Sequence, residues 1–138
     1  MPDPRKPDLN DVFDSIASSL RFQQTRPRRR VRGDEGLLVW RRRNVKAGVI
    51  AGESVGGAFV FLQKARVRVG SVSRTVALLD EIFAGEIVQV EARGPRETSV
   101  WLGRADSPAA PIVAFDRSRH HADVPVFTEM TFVSWPGI

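Results

Sequence analysis

The sequence predicts an α+β fold: a single, mainly antiparallel sheet of about 6–8 short strands with one central helix, preceded by an amphipathic helix on a basic arm. Three observations lead there. Apolar residues recur at helical spacing in only two stretches, one near the N-terminus and one in mid-chain. The remaining apolar residues come in short runs rich in Val, Leu, Phe and Trp, punctuated by glycine. The resulting order is helix, arm, strands, helix, strands, which has too few helices for repeated βαβ crossovers and favours hairpins.

In the first stretch Leu9, Val12, Phe13, Ile16 and Leu20 share one helical stripe, with Asp8 placed to cap the N-terminus. Asp11 and Asp14 in the first turns and Arg21 near the end suit the helix dipole, so a helix is expected from residue 9 to about 22. From Thr25 to Gly36 there are Pro27, Gly33, Gly36 and a run of arginines with almost nothing apolar, the composition of a linker or arm. Leu37–Arg41, Val45–Ile50 and Ala58–Gln63 then read as strands joined in hairpins. Ala65–Val69 alternates so that Arg66 and Arg68 point away from a buried face.

Ser71 or Ser73 can cap the second helix, in which Val72, Val76, Leu79 and Phe83 recur before Gly85 ends it. Glu86–Arg93 alternates again, and the turn Gly94-Pro95-Arg96-Glu97 leads into Thr98–Gly103 as a hairpin. Asp106–Pro111 has loop composition, and Ile112–Phe115 and Val124–Trp135 are the last strand candidates. The expected organisation is an N-terminal helix and arm over residues 1–35 and a sheet-rich domain over 36–138.

Composition narrows the function classes. The 138 residues include no cysteine, which removes disulfides, thiolate zinc sites and cysteine nucleophiles. No apolar run is long enough for a membrane span, and the polar, proline-rich start lacks the apolar stretch of a signal peptide, so a cytoplasmic location is expected. Arginine makes up 18 of the 21 cationic residues, a bias expected of a GC-rich bacterial genome. The net charge of +5 is unevenly placed: residues 1–46 carry 12 Lys/Arg against 6 Asp/Glu, whereas residues 47–138 carry 9 against 10. The basic character is a patch.

That patch comprises Arg26, Arg28, Arg29, Arg30 and Arg32, followed by Arg41, Arg42 and Arg43, with Phe22 and Trp40 beside the runs. Guanidinium groups pair bidentately with phosphate and stay charged at any physiological pH, and aromatic rings beside them can stack on bases. The function expected is therefore non-enzymatic binding of nucleic acid or another polyanion through these residues, with the sheet as scaffold. A solvated charged linker accounts for the same composition. The alternative function is that of a protein-interaction or assembly subunit, in which Leu9, Val12, Phe13, Ile16 and Leu20 dock on a partner or on a second copy to make a homo-oligomer.

Two short pieces of this region resemble the pattern of the PilZ cyclic-dinucleotide receptors, an Arg-x-x-x-Arg arm followed by an Asp/Asn-x-Ser-x-x-Gly motif on a strand. Arg28 and Arg32 match the first, Ser54 and Gly57 match the end of the second, and Gly52 stands where the acid or amide belongs. The resemblance spans residues 28–57 and implies a cyclic-dinucleotide sensor; a glycine-containing hairpin explains the same residues.

Asp116, His120, His121 and Asp123 form the one cluster with atoms suited to a metal or to acid–base work. Adjacent histidines share neither a helical face nor a strand face, so the expected reading is an exposed loop pair with no metal role. No Walker loop, dinucleotide fingerprint or nucleophile elbow is present, and the sequence points away from an enzyme and names no cofactor.

Overall fold

The computed structural model describes residues 8–22, 26–33, 35–52, 57–112 and 129–135. The Asp116, His120, His121 and Asp123 cluster and Ser54 lie outside them. Helix α1 (Leu9–Ser19) begins where the Asp8 side chain accepts a hydrogen bond from the Asn10 N–H at 2.9 Å. It ends about three residues before the expected residue 22, and Leu20 continues the apolar stripe from an extended backbone. The next five strands are β1 (Arg28–Arg32), β2 (Glu35–Arg42), β3 (Val45–Gly52), β4 (Gly57–Leu62) and β5 (Ala65–Val69). They pair in chain order as one antiparallel sheet. Arg43 and Gln63 open the two-residue turns after β2 and β4 with positive φ, the conformation that lets a tight turn follow the strand twist.

Helix α2 (Val72–Phe83) is capped by Ser71, whose hydroxyl accepts from the Arg74 N–H at 3.2 Å. It stops at Gly85, which takes a φ of 81° that other residues resist. Strands β6 (Ile87–Arg93), β7 (Thr98–Arg104), β8 (Ser107–Pro111) and β9 (Glu129–Val133) follow.

These last four strands do not extend the first sheet. They form a second antiparallel sheet in the order β8-β7-β6-β9, which corrects the expectation of a single sheet. The α+β class holds, with two helices and nine strands among the described residues. The physical reason for the split is that alternation marks a strand but not its neighbour. Helix α2 carries the chain out of the first ladder after β5, and β6 pairs with the strands that follow it.

Two further expectations change. The stretch read as a linker contains β1, an edge strand whose backbone pairs with β2 from Arg28↔Val39 to Arg32↔Glu35. Backbone pairing needs no apolar side chains, so an arginine-rich edge strand looks like a loop in composition. Asp106–Pro111, also read as a loop, contains β8, which lies at a sheet edge where proline is tolerated.

Both sheets and both helices share one core. Leu38 and Trp40 of β2, Val49 of β3, Val60 and Leu62 of β4 and Val67 of β5 face Phe13, Ile16 and Leu20 from the first helical stretch and Leu79, Ile82 and Phe83 of α2. Ile87, Leu102 and Trp135 join from the second sheet side. Phe83 stands edge-on between Trp40 and Trp135, at centroid distances of 5.3 and 5.0 Å. Buried Gln89 of β6 ties the sheets together: its Oε1 accepts from the backbone N–H of Lys64 at 2.6 Å and of Ala65 at 3.2 Å.

Candidate functional site

With α1 and α2 on one face of the five-stranded sheet, the other face is set by strand parity. Direct antiparallel partners project to the same side. One line of partners crosses the sheet as Arg30, Leu37, Ile50, Phe59 and Arg68. The neighbouring line runs Arg28, Val39, Gly48, Phe61 and Arg66. Each line starts and ends in arginine and is apolar between. With about 4.8 Å between strands, the arginines of β1 and β5 stand roughly 19 Å apart at their backbones.

Arg32 extends the β1 row at one end beside Glu35, and the Arg41↔Lys46 pair extends the face at the other. The face thus gathers Arg28, Arg30, Arg32, Arg41, Lys46, Arg66 and Arg68 against the single acid Glu35 among the described residues. All seven cations are exposed. No described carboxylate lies within ion-pair distance of Arg28, Arg30, Arg32 or Arg41.

The floor between the rows is half-open. Leu37, Val39, Ile50 and Phe59 are partly exposed, and Phe61 is buried, with 9% of its surface exposed. The Arg66 guanidinium carbon lies 5.2 Å from the Phe59 ring centroid, which sets a flat cation over an aromatic face. At the Lys46 end, Gln63 braces the two adjacent turns: its Oε1 accepts from the Lys46 N–H at 2.7 Å and its Nε2 donates to the Asn44 carbonyl at 3.0 Å.

Compared with known proteins, the chain matches no family model, no curated protein and no solved structure. The site must be read from its own chemistry.

The residues singled out by sequence divide. Arg28, Arg30, Arg32 and Arg41 meet on the outer face, Arg26 is exposed just before β1, and Arg42 and Arg43 are exposed at the β2–β3 turn. Arg29, of opposite parity, turns to the helix side. Its Nη2 contacts Asp14 Oδ1 at 2.5 Å, its Nη1 lies 3.4 Å from the Asn10 side-chain oxygen, and its guanidinium carbon lies 5.9 Å from the Phe13 ring centroid. Arg29 clips α1 to the sheet.

Trp40 does not stack on anything outside the protein. Strand parity sends it with Leu38 into the core, where it is 2% exposed against Phe83, so the expectation that it flanks a binding surface is corrected. Phe22 stays 43% exposed.

The helical stripe meant for docking is covered by the chain itself. Phe13, Ile16 and Leu20 are buried in the shared core, and Val12 packs at its margin. At its end α1 is also tied to α2, where the Arg21 N–H donates to Asp80 Oδ1 at 2.8 Å. An amphipathic stripe looks the same whether its groove is internal or on a partner, and here it is internal.

Of the PilZ-like pattern, Arg28 and Arg32 lie on the outer face of β1, and Gly52 and Gly57 face each other across β3 and β4. The face residues that no sequence motif marks are Lys46, Arg66, Arg68, Phe59 and Phe61. The alternation of Ala65–Val69 does signal that Arg66 and Arg68 share a side, but only the strand order shows which other arginines share it.

Among the described residues no helix is long and apolar enough to cross a membrane. No described group of three His, Asp or Glu residues could hold a metal ion.

Proposed function

We propose that this protein binds nucleic acid or a similar polyanion, without catalysis, on the outer face of its five-stranded sheet. The observation that supports the reading is the arrangement of Arg28, Arg30 and Arg32 at one edge with Arg66 and Arg68 at the other, all on one side. Phosphate oxygens satisfy guanidinium forks bidentately, and an extended strand repeats its same-face residues every about 6.8 Å, so β1 offers a ladder of three anion sites.

The test is a salt titration of oligonucleotide binding. Each phosphate neutralised contributes about 0.7 to 0.9 to the log–log slope, so changing Arg28, Arg30 and Arg32 together to Ala should flatten it by about 2 to 3 units. Arg29→Ala, in the middle of the same run, should leave the slope unchanged because its side chain serves α1. An absence of affinity at low salt, or an unchanged slope in the folded triple variant, would transfer the arginines to the recognition of acidic protein surfaces.

A further inference from the structure

We infer that the polyanion this face fits is a single-stranded nucleic acid, its bases laid on the apolar floor and its phosphates held by the arginine rows. The inference rests on the binding reading above and narrows its ligand. A duplex hides the flat faces of its bases and offers an outer surface of phosphate and sugar, which gains nothing from an apolar floor. A single strand carries both chemistries at once, phosphates along its backbone and base faces free to stack.

The sheet supplies the complement of both. Leu37, Ile50 and Phe59 sit side by side in the middle of one cross-strand line whose ends are Arg30 and Arg68. The Arg66 guanidinium over Phe59 extends the ring into a two-layer platform on which a base can stack. Charge alone would not require this centre. A surface built only for solubility has no need of partly exposed Leu, Val, Ile and Phe framed by cations, and one built only for duplex phosphates would place cations across the whole face.

Fluorescence anisotropy tests this with labelled oligo-dT, oligo-U and a mixed-sequence duplex of equal length, all at one low salt concentration. Either single strand should bind at least about tenfold tighter than the duplex. Arg66→Lys keeps the charge and removes the planar stacking surface, and it should weaken single-strand binding about five- to tenfold with little change in salt slope. Phe59→Ala should do the same, and thermal melting of both variants separates lost stacking from lost folding, Arg66→Lys being the one with little packing at stake.

Duplex bound as tightly as single strand, or unaltered single-strand affinity in Arg66→Lys, overturns this inference. Binding of the duplex that depends on Arg28, Arg30 and Arg32 would still uphold the broader polyanion reading. If neither single strand nor duplex binds, both fall together.

Discussion

Gly36→Ala tests whether α1 is an integral layer of the fold, and the structure gives the size of the effect. A Cβ at Gly36 would stand 2.8 Å from both Cε2 and Cζ of Phe13, closer than carbon atoms tolerate, and a tight 3.3 Å from Cδ1 of Leu9. Phe13 is fully buried and cannot swing into solvent, so relief requires a shift of the helix. Overpacking of this kind costs about 1–3 kcal/mol. For a chain of this size each kcal/mol corresponds to about 3–4 °C in Tm, so the variant should melt about 3–12 °C lower. Urea denaturation gives the free energy, and a second substitution gives the cause. Phe13→Leu removes the clashing ring atoms and should cost about 1–2 kcal/mol alone through lost burial, yet in the double variant the two penalties should sum to less than their separate values. If Gly36→Ala is neutral, or strictly additive with Phe13→Leu, then α1 is not held against β2 in solution and the shared core is wrong.

Two other outcomes check the scaffold. Gln89→Leu leaves the Lys64 and Ala65 amides without their acceptor and should cost about 2–4 kcal/mol by urea denaturation, whereas a neutral result would show that water replaces the side chain. Arg43→Gly relieves a φ of 57° at an exposed turn and should raise stability by up to about 1 kcal/mol, with a lowered Tm marking an unrecognised contact.

Local signals in the sequence survive in the structure where local physics sets the outcome. The Asp8 and Ser71 caps, the stop at Gly85 and the turn closed by the Gly94 N–H to the Glu97 carbonyl at 2.7 Å depend on residues a few positions apart. What the sequence hides is phase and partnership. In Leu37-Leu38-Val39-Trp40 every residue is apolar, so alternation cannot say which pair enters the core, and Trp40 beside three arginines resembles a stacking residue until the β2–β3 register places it with Leu38. The run Arg28–Arg32 looks uniform in composition, yet one-residue parity assigns Arg29 to α1 and its neighbours to the outer face. The candidate site is accordingly half legible: its β1 row stands out as charge, while the β5 row becomes part of it only through a sheet order that no single segment encodes.

Arginines on β1 and β5 have an explanation that competes with binding, because both are edge strands and like charges keep the edges of two copies apart. Edge protection does not reach the Arg41↔Lys46 pair, which lies on the inner strands β2 and β3. Two like charges placed directly opposite destabilise an antiparallel pair, so the fold gains nothing by keeping them there. A bound phosphate would turn that repulsion into attraction for both. Arg41→Glu separates the explanations, since it replaces the repulsive pair by an attractive one and leaves both edges untouched. It should stabilise the free protein by a few tenths of a kcal/mol, up to about 1, and at the same time weaken oligonucleotide binding and reduce its salt slope by about 1 to 2 units, one cation being lost and one anion added. A gain in stability with undiminished affinity would remove Arg41 and Lys46 from the binding face and confine the arginines to the two edges, where edge protection accounts for them as well as binding does and the triple variant of Arg28, Arg30 and Arg32 decides.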